Sequence, residues 1–128
     1  MTNQKNGFSL MELMFALAIL VPVTLAIISA NVYALRVSET ARNVTVAMQD
    51  AHTIIERIRN TSKQGLAQVV ATFPSGQAVG NAATLPGEQV AVTYPNANAN
   101  PLAITVTVTW PDRNRNMTRT LDTQVTQR

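Results

Sequence analysis

The sequence predicts an α+β fold: one long N-terminal α-helix, apolar through its first half, packed against a small antiparallel β-sheet. Three observations carry this. No glycine or proline interrupts the stretch from Val23 to Lys63, where apolar residues recur at helical spacing. Gly65, Pro74, Gly76, Gly80, Pro86 and Gly87 then punctuate an irregular stretch. After them come three segments in which apolar and polar residues alternate, the period of half-buried strands.

The chain has 128 residues, enough for one small domain at most. Its first quarter reads as a membrane segment, which leaves roughly 90 residues and a thin core. It contains no cysteine, so a disulfide framework and a thiolate metal site are both excluded. Its one histidine, His52, cannot make a multi-histidine metal centre within one chain. The net charge of +3 comes from arginines scattered through a charge-poor chain, which is a weak signal for nucleic acid.

The helix opens on the apolar run "LMFALAILVPVTLAIISA", Leu13 to Ala30, which carries no charge. Extended to Phe8 and Tyr33, it is long enough to span a bilayer with some tilt. Glu12 is the only charged side chain between those two residues. A carboxylate in hydrocarbon costs about 2.5–3.5 kcal/mol on insertion scales, less near the interface, so Glu12 needs a functional reason and a partner. Two simpler readings are a secretory signal peptide cleaved near "SANVYA" and a plain membrane anchor. The apolar run is longer than a signal core, the basic n-region is Lys5 alone, and neither reading explains Glu12.

The stretch "MTNQKNGFSLMEL" resembles the start of type IV prepilins and type II secretion pseudopilins. The likeness combines a short polar leader, a Gly-Phe junction, a placed Glu and an immediate apolar run; it is close over about residues 1–35. The resemblance implies cleavage between Gly7 and Phe8 by a prepilin peptidase. It implies N-methylation of the new Phe8 amine and an assembly role for Glu12, at the fifth mature position. The implied partners are other pilin or pseudopilin subunits, an inner-membrane assembly platform and the lipid bilayer.

Elementary chemistry gives these positions a mechanism. Cleavage before the apolar run leaves a free amine on Phe8, with a reference pKa of about 7.7–8.0. Glu12 lies about 6 Å along a helix from that amine. In staggered parallel helices, the amine of one subunit meets the carboxylate of its neighbour, and low dielectric strengthens the pair. Pro22 removes one backbone donor and frees the carbonyl of Ala18, so a kink or helix break is expected there.

Past Ala34 the polarity rises while the helical period continues. Val37, Ala41, Val44, Met48, Ala51, Ile55 and Ile58 form one apolar stripe, widened by Ile54. A continuous helix is predicted from about Phe8 to about Asn60, with "NTSKQG" as its stop. Residues 61–87 read as a linker, with a short helical turn near Leu66–Val70. "EQVAVTY", "LAITVTVTW" and "MTRTLDTQV" read as three strands. They place Val90, Val92 and Tyr94, then Leu102, Ile104, Val106, Val108 and Trp110, then Met117, Leu121 and Val125 toward the helix. "PNANANP" and "PDRNRN" read as the turns between them. The expected organisation is therefore a leader at 1–7, a membrane and assembly helix at 8–34, and a head at 35–128 whose sheet occupies 88–126.

No glycine-rich phosphate loop, metal-ligand cluster or catalytic triad is visible, so neither enzymatic activity nor a cofactor is expected. The sequons at Asn43, Asn60 and Asn116 are treated as chance, and His52 as a half-exposed helix residue. Arg113, Arg115 and Arg119 surround the second turn and would suit a DNA-contacting loop; the blander reading is a solvated turn beside a charged sheet edge. The leading expectation is a structural subunit of a pilus or pseudopilus, with the small head fitting a minor subunit better than a major one. The rivals are a DNA-binding tip or competence pilin and a single-pass anchored periplasmic protein outside any filament. Lys5 before the apolar run and a polar head after it imply a leader in the cytoplasm and a head outside the inner membrane.

Overall fold

The computed structural model describes residues 9–126. Its elements are α1 (Leu10–Ser62), α2 (Leu66–Thr72), β1 (Gln89–Thr93), β2 (Leu102–Asp112) and β3 (Arg115–Val125), an α+β arrangement. The chain divides into two compact units, Met1–Glu39 and Thr40–Arg128, and α1 contributes to both.

In the first unit, Ser9 opens the helix. Its Oγ accepts the Met11 N–H at 3.3 Å, and its carbonyl accepts the Leu13 N–H at 3.1 Å. The break expected at Pro22 is absent, and α1 runs through it. The missing donor and ring clash cost about 3 kcal/mol, and good helix formers on both sides, such as Leu20 and Leu25, favour helix around the lost rung. Thr24 and Ser29 donate their hydroxyls to the carbonyls of Val21 and Leu25, each at 2.8 Å, so neither presents an unpaired hydroxyl within the apolar run.

In the second unit, α1 ends at Ser62 rather than Asn60, and Gly65 adopts φ 117, a backbone that favours glycine. The turn expected near Leu66–Val70 is a seven-residue helix, α2, which buries Leu66 and Val69. Phe73 then turns inward, and the Tyr94 hydroxyl donates to its carbonyl at 3.0 Å.

The sheet has order β1-β2-β3, antiparallel throughout. Val90 pairs with Val108 and Val92 with Val106, so the apolar faces of β1 and β2 coincide. Ala47, Ala51, Ile54, Ile55 and Ile58 of α1 join Leu102, Ile104, Val106, Val108 and Trp110 in one buried core. The buried helix stripe is narrower than the expected one. Val37 is 51% exposed and Ala41 is also exposed, while Ala47 lies fully inside and Met48 only partly. Helical period marks a face but not its length; burial begins at Val44, within the second unit.

The second turn is tighter than "PDRNRN" suggests. Pro111 pairs with Asn116 and Asp112 with Arg115, leaving only Arg113 and Asn114 in the loop. Proline is tolerated in β2 because β1 begins at Gln89, opposite Thr109, so no β1 residue stands opposite Pro111. Gly87 fills that corner. It has φ +72, and a Cβ there would stand 3.0 Å from Pro111 Cγ. Gly87→Ala is therefore expected to cost about 1–3 kcal/mol, from left-handed strain plus overlap. Gly76→Ala, with φ +76 but open space, should cost only the strain. Thermal melts followed by Trp110 fluorescence compare the two; equal losses would remove Pro111 from the explanation.

The linker covers one sheet edge. Gly76 N–H donates to the Val92 carbonyl at 2.8 Å, Val79 N–H donates to the Val90 carbonyl at 2.7 Å, and Ala78 bridges Ala91. The opposite edge, β3, has no strand beside it among the described residues.

Candidate functional site

Glu12 sits in the first turn of α1 with its side chain exposed. A carboxylate there is favoured by the positive end of the helix dipole. Met11, Met14, Phe15 and Ala18 line a shallow apolar groove beside it. Around and beyond Glu12 the large side chains of α1 are exposed: Leu10, Leu13, Leu17, Ile19, Leu20, Val21, Val23, Leu25, Ile27 and Ile28 all show about half or more of their surface. The helix is long and apolar enough to cross a membrane, and its most apolar window is not buried anywhere in the protein. A core helix of a water-soluble domain would be covered there. Gly7 and Phe8, the expected cleavage and methylation positions, lie outside the described residues.

The three arginines do not form one cluster. Arg113 occupies the turn, with φ 58. Arg115 begins β3 opposite Asp112, and Arg119 lies opposite Val108. Paired residues share a sheet face, so Arg115 and Arg119 both lie on the side that carries the core. They are separated by about 13 Å of strand. Arg119 also donates to the Thr118 carbonyl at 3.3 Å. A charge on the inner face of an edge strand discourages another strand from adding there. Asp112 Oδ2 accepts the Thr40 hydroxyl at 3.3 Å, tethering the hairpin tip to α1. Trp110 is fully inside and belongs to the core. His52 is exposed on α1.

One polar cluster carries no local sequence signal. Glu88 is 7% exposed, immediately before β1. Its Oε2 accepts the N–H groups of Thr84 at 3.0 Å and Leu85 at 2.8 Å. Asp50 on α1 accepts the same Thr84 N–H at 3.0 Å and the Thr84 hydroxyl at 2.9 Å. Glu88 Oε1 is buried without a partner. Burial raises the Glu88 pKa above its ordinary 4.5; the two N–H bonds oppose the rise, and the adjacent Asp50 adds to it. A raised folded-state value means that the folded head binds the proton more tightly than the unfolded chain. The stabilisation from this proton is complete below pH 4.5 and fades as the pH climbs through the folded value. Glu88→Gln is expected to flatten that slope and raise stability at neutral pH by about 1 kcal/mol, the worth of a satisfied neutral hydrogen bond. Melting temperatures between acidic and neutral pH test it; a Gln variant less stable at neutral pH would show that the N–H pair wants an anion.

Tyr94 is pushed up to about 12 by burial, consistent with a hydroxyl that only donates, here to Phe73. Among the described residues no group of three or more His, Cys, Asp or Glu side chains could hold a metal ion. What the chain presents is an uncovered apolar helix with one carboxylate near its start, and a separate small head. Compared with known proteins, the chain matches no family model, no curated protein and no solved structure.

Proposed function

We propose that this chain is a structural subunit, of the minor class, of a type IV pilus or type II secretion pseudopilus. It is cleaved after Gly7 and assembled through its N-terminal helix. The observation that carries the proposal is Glu12: a single carboxylate in the first turn of an uncovered apolar helix, five residues after the Gly-Phe junction's glycine. A bilayer covers the apolar side chains before assembly, and neighbouring parallel helices cover them afterwards. In both settings an unpaired Glu12 is costly, and the Phe8 amine of an adjacent subunit relieves it.

The sequence of events is short. Prepilin peptidase cuts on the cytoplasmic side and methylates Phe8. The processed subunit waits in the inner membrane with its head outside. An assembly platform then moves it into the fibre, where the amine–carboxylate pair sets the axial stagger between subunits. The head keeps its own core within Thr40–Arg128 and needs no partner to bury it.

Intact-mass measurement of the membrane-extracted protein, with shearing of the cells, tests the proposal. The expected species begins at Phe8, carries one added methyl and appears in the sheared fibre fraction. A chain still beginning at Met1, or one cleaved after the apolar run, would overturn it. A correctly processed chain confined to the membrane fraction would favour an anchored protein outside any fibre.

A further inference from the structure

We infer that the cleft between the C-terminal part of α1 and segment 76–79 binds an extended, acidic peptide segment of a partner protein. Arg57 takes the peptide's side-chain carboxylate, and the Ala78 backbone pairs with its main chain. All of these residues belong to the Thr40–Arg128 unit, so the contact does not depend on how the apolar half of α1 is used. Three observations meet here.

The first is an open backbone edge. Ala78 stands opposite Ala91 of β1, and the adjacent Val79 N–H donates to the Val90 carbonyl at 2.7 Å. Bonded and non-bonded positions alternate in an antiparallel pair, so the Ala78 N–H and C=O point away from β1. Ala78 is exposed, and its backbone has no hydrogen-bond partner among the described residues. A free donor and acceptor on an uncharged edge are what an added extended peptide takes up. The β3 edge differs, because it carries Arg119 on its inner face. Segment 76–79 is short, so it offers little more than one residue of pairing, and side chains must supply the rest of the recognition.

The second is charge. Ala78 lines a cleft of about 530 Å³ together with Arg57, Asn60, Phe73, Pro74 and Gln77. That size falls within the range of small-ligand sites, about 300–1,000 Å³. Arg57 is the only charged residue in the lining. Its Nη2 donates to the Asn81 carbonyl at 3.4 Å, which orients the guanidinium, and no carboxylate pairs with it among the described residues. Its sequence neighbour Glu56 is held by Arg59 at 2.8 Å. Lys63 adds a second positive charge beside the cleft, where it donates to Asn60 Oδ1 at 3.2 Å. The remaining planar donors of Arg57 match the two oxygens of a carboxylate.

The third is the chemistry of the remaining lining. The Asn60 carboxamide, with its oxygen on Lys63, presents its NH2 group, and the Gln77 carboxamide offers both a donor and an acceptor. Amides of this kind suit peptide groups. A nucleic acid would meet one guanidinium in the lining where it needs a row of cations. A flat aromatic ligand would find no ring to stack on, because Phe73 is 6% exposed. A neutral strand would use the Ala78 backbone and leave Arg57 idle. An extended segment with one aspartate or glutamate uses both.

The test follows the Ala78 amide by two-dimensional NMR in the full-length, nitrogen-labelled protein in detergent micelles. The probe is the peptide acetyl-Thr-Val-Asp-Val-Thr-amide, whose β-branched residues favour an extended chain and whose only charge is the aspartate. A saturable shift of the Ala78 signal is expected. The Asn counterpart of the probe should bind about fivefold more weakly, the upper range for an exposed ion pair. Arg57→Gln should bring the two peptides to the same affinity, with native Trp110 emission showing that the head remains folded. Arg57→Lys should recover part of the difference. A probe with N-methylated backbone amides should lose binding, because it cannot pair with Ala78. Equal affinity of the Asp and Asn peptides for the wild-type chain would overturn the site, as would an undiminished difference in Arg57→Gln or no shift at Ala78 with millimolar peptide. Preference for a peptide whose one carboxylate is its free C-terminus would also overturn the internal segment as occupant and assign the cleft to a chain end.

Discussion

Val108→Asp is expected to unfold the head, whereas Thr107→Asp leaves it folded. The two positions are adjacent and differ only in strand phase. Val108 is fully buried in the core shared with Ile54 and Ile58 of α1, and it pairs with Val90 on one side and Arg119 on the other. The one cation opposite it is Arg119, on the same face of the neighbouring strand but exposed, so a pair would have to draw that guanidinium out of water. An unpaired buried charge, or the proton needed to neutralise it, costs about 4–5 kcal/mol or more. A small domain has about 5–15 kcal/mol in total, so most of the head's stability is removed. Thr107 lies on the opposite face, half-buried between Ala91 and Thr120. Aspartate at that position keeps its solvent and loses only strand propensity, within about 1 kcal/mol. Trp110, the sole tryptophan and 1% exposed, reports the difference directly. In the full-length protein in detergent, its emission should shift to the exposed position for Val108→Asp and stay native for Thr107→Asp. Equal behaviour of the two variants would contradict the observed strand phase.

That phase was legible because alternation in "LAITVTVTW" is strict, and a one-residue slip would expose every apolar side chain at once. The long helix was legible for a similar reason, since nothing between Val23 and Lys63 breaks its period. Other features were not, each for a physical cause. Pro111, Asp112 and Asn116 look like turn residues, but a hairpin needs only two residues in its loop, and an unopposed position in β2 accepts proline. Val37 and Ala41 continue the helical stripe, yet a periodic face is buried only where something stands against it. Pro22 carries a helix-breaking signal that the surrounding helix formers overcame. The Glu88–Asp50 cluster joins residues far apart in sequence, and no local pattern marks a carboxylate that will be buried. Arg119 is the instructive miss: alternation from Met117 and Leu121 already puts it on the inner face, although proximity in sequence groups it with the turn. For the N-terminal site the position is reversed. The residues proposed to define it are all local in sequence, while the groups they are proposed to act on belong to other molecules.

Gly7 and Glu12 are expected to fail at different steps, which is how that site can be dissected. A bulky residue at position 7 should block cleavage, because the proposed scissile bond follows it directly. The uncleaved leader then stays at the cytoplasmic face, and no Phe8 amine forms. Glu12→Val removes the only charge in the first turn of α1 and keeps an apolar helix, so insertion and cleavage should proceed normally. Fibre entry should collapse, because the neighbour's N-terminal amine has lost its partner. Breaking a buried charge pair from one side typically costs about 3–5 kcal/mol; water or headgroups near the helix end reduce this, but a tenfold or greater loss of incorporation is still expected. Glu12→Asp should fall between, since the carboxylate remains and its reach shortens by one methylene. Sheared-fibre and membrane fractions of each variant, run beside the size shift from processing, separate the two steps. Glu12→Val recovered in fibres at the wild-type level would show that this carboxylate is not an assembly contact. Glu12→Val that accumulates uncleaved would move its role back to recognition by the peptidase.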